Sequence, residues 1–157
     1  MQKISPFLWF DSQAEEAANF YVSLFDDAEI TNVATYPEGT PGPAGQVMTV
    51  SFRLAGQEFT ALNGGPEFRF TEAVSFYVRC KDQDEVDHFW TQLTEGGEES
   101  QCGWLKDRFG LSWQIVPDRL GELLGDPDPA RSQAAMQAML QMSKIEIKTL
   151  EDAANAA

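Results

Sequence analysis

Histidine is nearly missing from this chain: His88 is the only one in 157 residues. A Ser-His-Asp arrangement needs an imidazole beside its nucleophile, and His88 falls on a predicted helix, next to its apolar stripe, where it reads as a solvated residue. Cysteine is almost as scarce. Cys80 and Cys102 suit a reducing compartment, their spacing alone does not pair them, and buried free thiols are the expected state. No stretch approaches the ~20 apolar residues of a membrane span. The start, Met1-Gln-Lys-Ile-Ser-Pro-Phe-Leu, shows no basic region followed by a long apolar run. A cytoplasmic location is therefore expected. Basic residues are few, 11 against 25 acidic, for a formal net charge of −14. Such a surface repels phosphate backbones and anionic lipid, which argues against nucleic acid and membrane surfaces as partners. The acid is read as serving solubility.

What is present is enough for a core: the chain is 43% hydrophobic and 11% aromatic. Ile4 to Phe10 is apolar on both alternating sets and predicts a strand covered on both faces, with Pro6 near its start. Ser12-Gln-Ala-Glu15 has the form of a capping box. The helix after it places Ala14, Ala17, Ala18, Tyr21, Leu24 and Phe25 on one stripe. Glu29 to Tyr36 predicts a second strand, and Pro37 to Gly45 is a breaker-dense loop. Gln46 to Leu54 alternates as a half-buried strand, Ala55-Gly56 turns the chain, and Gln57 to Leu62 returns.

The pattern then recurs. Val74 to Cys80 predicts a strand, and Asp82-Gln-Asp-Glu85 repeats the cap. The next helix carries Val86, Phe89, Trp90 and Leu93 on one side, and Gly96-Gly97 ends it. Glu98 to Gln101 predicts a short strand. Gly103 to Pro117 predicts a hairpin turning at Asp107-Arg108-Phe109-Gly110. Strand, helix and three strands thus occur twice, an internal repeat of two modules, residues 1–66 and 67–117. Residues 118–157 are predicted as a C-terminal helical extension: a short helix from Asp118 to Leu124, then a helix capped by Asp128 with Pro129 at its first position. That second helix carries Met136, Met139 and Leu140 on one side, and Lys144 to Leu150 continues into a last helical patch. Ile145, Ile147 and Leu150 are too apolar for a free tail. An α+β fold of two βαβββ modules with curled mixed sheets and C-terminal helices is the expectation.

Three stretches carry a family resemblance. They are Pro6-Phe-Leu-Trp-Phe with the Ala-rich helix and Phe20-Tyr21; Ala73-Val-Ser-Phe-Tyr-Val with Asp82-Gln-Asp-Glu-Val-Asp87; and Gln101-Cys-Gly-Trp-Leu through Trp113-Gln-Ile-Val-Pro117. Together they resemble the PhnB-like branch of the vicinal oxygen chelate superfamily, which includes glyoxalase I and extradiol dioxygenases. Some members of this branch carry the label 3-demethylubiquinone-9 3-methyltransferase.

The resemblance implies four metal-ligand positions on the first and last strands of the two modules, usually His, Glu or Gln. On this chain they fall at Ser5 or Pro6, at Phe59, Ala61 or Asn63, at Ser75, and at Gln114. An open divalent site needs about three strong protein ligands, and this set lacks them, so no metal or other cofactor is expected. The glycine-rich strand-to-helix turn that usually binds S-adenosylmethionine is also missing: Gly39-Thr-Pro-Gly-Pro is broken by prolines, and Gly64-Gly65-Pro66 opens no clear helix. The favoured function is a metal-free small-molecule-binding module. The alternatives are a superfamily enzyme with an atypical metal site and, from the label alone, the methyltransferase. The expected pocket comprises Trp9, Arg53, Asn63, Ser75, Tyr77, Arg79, Trp104 and Gln114. No catalytic residue is assigned, and a homodimer is the expected assembly.

Overall fold

A computed structural model describes residues 2–157 of the chain. It divides into two compact units, Met1–Phe70 and Thr71–Ala157.

In the first unit, β1 (Phe7–Phe10) leads to α1 (Ala14–Leu24), then β2 (Ala28–Thr35), β3 (Val47–Leu54) and β4 (Gln57–Asn63). The sheet order is β1-β4-β3-β2. β1 runs parallel to β4, with Phe7 opposite Thr60, and the other pairs are antiparallel. β1 is shorter than the alternation predicts: Ile4 lies outside it and is 85% exposed. α1 buries Ala14, Ala17, Ala18, Tyr21 and Leu24. Three of these are alanines, so the helix backbone can lie close to the sheet side that carries Leu8, Phe10, Val50, Phe52, Leu54 and Ala61, all buried. Phe52 stacks on Phe59 at 5.3 Å between ring centroids. The β3–β4 turn has positive φ at both Ala55 (48°) and Gly56 (85°), the backbone sense a two-residue hairpin loop requires.

The capping box expected at Ser12 does not form. The N-cap is Gln13, with no side-chain cap bond. Asn63, at the end of β4, supplies the cap instead: the Ala14 N–H donates to Asn63 Oδ1 at 2.8 Å.

The second unit repeats the order with β5 (Ser75–Cys80), α2 (Gln83–Thr94), β6 (Glu98–Glu99), β7 (Trp104–Lys106) and β8 (Ser112–Pro117). Its sheet order, β5-β8-β7-β6, matches the first, again with first and last strands parallel. Here the cap forms as expected. Asp82 accepts from the Glu85 N–H at 2.9 Å, and Glu85 reaches back to the Lys81 N–H at 2.8 Å. Val86, Phe89, Trp90 and Leu93 are buried, as the stripe predicts. β6 is two residues long rather than four. Gly97 lies so close to β7 that a Cβ there would come 2.1 Å from the Lys106 carbonyl oxygen.

The chain ends in three helices: α3 (Asp118–Leu124), α4 (Pro129–Met139) and α5 (Ile147–Asn155). Asp128 caps α4, with Pro129 in its first turn. Their apolar sides form one cluster with Val116 of β8: Leu120, Leu123, Ala135, Met142, Ile145, Leu150 and Ala154. Met139 packs against this cluster, whereas Met136 and Leu140 stay exposed, so the expected methionine face is split. The segment before α5 is tied down by backbone bonds from Cys102 to Met142 and from Gly103 to Ser143, each 2.8 Å. Gln83 adds both halves of its amide, donating to the Ile145 carbonyl (3.0 Å) and accepting from the Ile147 N–H (2.7 Å).

Candidate functional site

Side chains alternate across a strand, and residues paired in register share a face. In the second unit Ser75 is opposite Ser112, Tyr77 opposite Gln114, Trp104 opposite Gln114, and Lys106 opposite Ser112. One face therefore carries Ser75, Tyr77 and Arg79 from β5, Ser112 and Gln114 from β8, and Trp104 and Lys106 from β7. The other face carries Phe76, Val78, Cys80, Leu105, Trp113 and Ile115.

Five of the eight residues expected in the pocket thus lie on one face of one sheet. The Gln114 amide donates to Ser75 Oγ at 3.0 Å. Tyr77, beside Gln114 in register, is 57% exposed. Arg79 is bound to Asp118 at 3.0 Å and is largely exposed.

The remaining three lie in the first unit. Trp9 shares its face with Arg53 but stands strands away from it. Its indole N–H donates to the Gly65 carbonyl at 2.8 Å, and its ring meets Phe68 edge-on at 4.9 Å. Gly64 is required beneath the ring, because a Cβ there would sit 2.4 Å from it. Arg53 pairs with Asp27 (2.7 Å) and Glu29 (3.1 Å), and hydrogen bonds to these carboxylates raise its pKa. Asn63 belongs to the opposite face, in line with Phe10. Its amide bridges the α1 N-terminus and the Val47 carbonyl (3.1 Å), and its own carbonyl accepts from the Tyr36 hydroxyl. Asn63 also lines a cavity of about 830 Å³ with Asp11, Glu15, Tyr36 and Gly64.

The donor set does not fit a divalent metal. At the superfamily positions of the second module, Ser75 and Gln114 are a hydroxyl and a neutral amide bonded to each other. At those of the first, Pro6, Phe59 and Ala61 have no side-chain donor, Ser5 offers a hydroxyl alone, and Asn63 is engaged as a cap. Among the described residues no three His, Cys, Asp or Glu side chains are grouped so that they could hold an ion. His88 lies on α2, its ring against Phe89.

The thiols are free. Cys80 is buried, and desolvation, aided by Glu85, pushes its pKa up to about 12, so the nucleophilic thiolate is suppressed. Cys102 is only partly buried, against the expectation of two buried thiols, and sits at a positive φ of 59°.

Ser112, Lys106 and Glu72 are not among the residues expected from sequence. These line a cavity of about 220 Å³ with Trp104, Glu98 and Glu99. A signal was available for two of them: Ser112 precedes Gln114 by two and Lys106 follows Trp104 by two, which places all four on one face.

Comparison with known proteins agrees with this architecture. The 3-demethylubiquinone-9 3-methyltransferase family profile matches residues 2–116. A putative 3-demethylubiquinone-9 3-methyltransferase, PhnB protein, from Bacillus cereus is 40% identical, with a TM-score of 0.68 over 74% of this chain and 99% of its own. A Pseudomonas aeruginosa protein of 22% identity superposes with a TM-score of 0.57 over 75% of this chain and 100% of its own. The fosfomycin resistance protein FosX from Listeria monocytogenes, 15% identical, shares the fold at a TM-score of 0.54 over 80% of this chain and 98% of its own. No curated protein matches the chain. With the repeated βαβββ order, the parallel pairing of first and last strands in each unit and these likenesses together, the chain belongs to the PhnB-like family that carries the 3-demethylubiquinone-9 3-methyltransferase name, and it has the vicinal oxygen chelate fold.

Proposed function

We propose that this protein is a metal-free small-molecule-binding module, and that its site is the face of the second sheet carrying Ser75, Tyr77, Arg79, Trp104 and Gln114. The observation that carries the reading is the Gln114–Ser75 bond beside the exposed Tyr77 ring. An aromatic wall with a few converging polar groups is the usual make-up of a small-molecule site. The neutral amide can offer a donor and an acceptor to a ligand, whereas as a metal ligand it is weak. No cofactor is part of this reading.

Two measurements test it. A thermal-shift screen of small aromatic and amide-bearing molecules is expected to yield hits that Tyr77→Ala and Gln114→Ala weaken. Hits indifferent to both substitutions would remove this face as the site. Metal analysis of untagged protein purified without chelator is expected to find substoichiometric metal; stoichiometric zinc, nickel, iron or manganese would favour the superfamily enzyme instead. We further place the protein in the cytoplasm as a homodimer, supported by the exposed Met136 and Leu140 on and beside α4. A monomer by light scattering at micromolar concentration would overturn the dimer.

A further inference from the structure

The chain has asparagine at positions 19, 32, 63 and 155, and Asn63 alone is followed by glycine. That pair is chemically labile. The backbone nitrogen of the next residue can attack the side-chain amide carbon, and glycine, with no Cβ, hinders neither the approach nor the backbone rotation it needs. After Asn19, Asn32 and Asn155 stand Phe20, Val33 and Ala156, whose side chains slow that attack.

The fold requires both members of the pair. Asn63 uses both ends of its amide: Oδ1 accepts from the Ala14 N–H at 2.8 Å, and Nδ2 donates to the Val47 carbonyl at 3.1 Å. An aspartate would keep the acceptor and lose the donor. Gly64 lies under the Trp9 ring, where a Cβ would come within 2.4 Å, and the indole is anchored by its bond to Gly65.

The same contacts immobilise the reacting atoms. The Gly64 nitrogen is the nucleophile, and its N–H donates to the Phe10 carbonyl at 2.8 Å. The carbonyl of that same peptide group accepts from the Tyr36 hydroxyl. The next amide, Gly65 N–H, donates to the Asp11 carbonyl at 3.2 Å. Peptide group and side-chain amide are thus each held at both ends, and the nitrogen reaches Cγ only when the end of β4 opens. Local openings of this kind need less than global unfolding. Asn63 also lines the 830 Å³ cavity, so water stands close to the reacting group once it opens.

We propose that Asn63-Gly64 is a self-modification site that the native fold masks. On opening, the Gly64 nitrogen bonds to Asn63 Cγ, the Cγ–Nδ2 bond breaks, and Nδ2 leaves as ammonia with the proton that the Gly64 nitrogen gives up. Water then adds to either carbonyl of the cyclic imide and breaks its bond to nitrogen, which yields aspartate or isoaspartate. One water is consumed, one ammonia is released, and no oxidant or reductant takes part. Aspartate puts a carboxylate oxygen where the donor to Val47 stood, beside Asp11 and Glu15 of the same cavity wall. Isoaspartate adds a methylene to the main chain at the end of β4. Either product undoes the tie between α1, β3 and β4, and the change does not reverse.

The test incubates the full chain in mildly alkaline buffer, folded and in urea, and follows each asparagine by peptide mass spectrometry. In urea, Asn63 is expected to convert before Asn19, Asn32 and Asn155. In the folded chain, its conversion is expected to be at least about tenfold slower. Tyr36→Phe frees the Asn63 carbonyl and is expected to speed the folded-state reaction about threefold to tenfold, the loss of one hydrogen bond, with the urea rate unchanged. Circular dichroism checks that this variant is folded; should it not be, the wild-type comparison decides. The deamidated chain, separated by its added negative charge, is expected to melt below the unmodified one. Equal rates in folded and urea-treated chains, or a folded Tyr36→Phe variant that converts no faster, would overturn the masking. Earlier conversion of another asparagine, or none at Asn63 in urea, would overturn the site. Identical melting of both forms would overturn the loss of the tie.

Discussion

Asp107 is a buried polar residue that organises the hairpin of the second unit. It is 3% exposed, and its carboxylate takes three bonds: Oδ1 from the Phe109 N–H (2.9 Å) and the Leu111 N–H (3.1 Å), and Oδ2 from the Trp113 indole (2.9 Å). One side chain thus shapes the β7–β8 turn and anchors the largest buried ring. The turn itself was readable, since Asp-Arg-Phe-Gly has turn chemistry and Gly110 takes the positive φ of 89°. The burial of Asp107 was not, because it depends on Trp113 folding back across the hairpin. Asp107→Asn keeps an acceptor for the two amides but sets an amide N–H against the indole N–H. We expect a loss of about 1–3 kcal/mol in urea unfolding, the cost of an unsatisfied buried donor. A Trp113 indole signal unmoved in that variant would show that the bond to Asp107 is not what holds the ring.

The two modules make the same fold with different caps, which is visible at the level of α1 and α2. α2 is capped locally, by Asp82 and Glu85, so four consecutive residues revealed it. α1 is capped by a side chain 49 positions away in sequence, Asn63. Gln13, at φ −106° and ψ 17°, holds the N-cap position, which leaves Ser12 one residue early and outside the helix. No local motif can report a cap that arrives from β4, and the Ser12–Glu15 spacing was a false signal for that reason. Asn63→Ala is therefore expected to destabilise the protein by about 1–2 kcal/mol, near the upper end for a lost N-cap. Ser12→Ala is expected to change stability by less than about 0.5 kcal/mol, as surface substitutions usually do. Thermal or urea melts of both variants check this, and the reverse order of effects would restore the capping box. The same comparison bears on the site, since Asn63, expected in the pocket, lines a cavity and also holds a helix.

For the second unit as a whole, the helical extension is part of the core rather than an appendage. The family profile ends at residue 116, and the chain beyond that point buries Ile145, Leu150 and Ala154 completely. Lys144 fastens the extension to α2 through Asp87 at 2.7 Å. Hydrogen bonding to Lys144, helped by Gln83, lowers the Asp87 pKa, and the same bond raises that of Lys144. The depressed Asp87 contributes stability above the ordinary aspartate pKa of about 3.9, and that contribution fades as pH falls through the lower folded value. The raised Lys144 contributes below the ordinary lysine pKa of about 10.4, and that contribution fades as pH rises through the higher folded value. Both side chains are about a third or more exposed, so solvent screening keeps the pair small. Lys144→Ala is expected to cost about 0.5–1 kcal/mol near neutral pH. The gap from wild type should close at both acidic and strongly alkaline pH in urea titrations. A gap that persists well below the aspartate range would mean that Lys144 contributes through packing of its stem, not through charge.

Periodicity, turn residues and the internal repeat determined by themselves the α+β class, the order of the elements in both modules, and the stripes of α1 and α2, while the family resemblance was carried by particular stretches such as Gln101 to Pro117. These depend on local spacing, and local spacing is written along the chain. The positions that the resemblance implies for metal ligands hold no histidine or glutamate, and residue identity survives any packing. Only the tertiary structure decided which long-range partners the polar side chains take: Asn63 on α1, Asp107 on Trp113, Gln114 on Ser75, Gln83 on the segment before α5. It also decided that the Ser112 hydroxyl is buried beside a cavity with no partner. Each of these is a contact between residues far apart in sequence or on neighbouring strands, and its existence depends on register and packing rather than on any one stretch of residues.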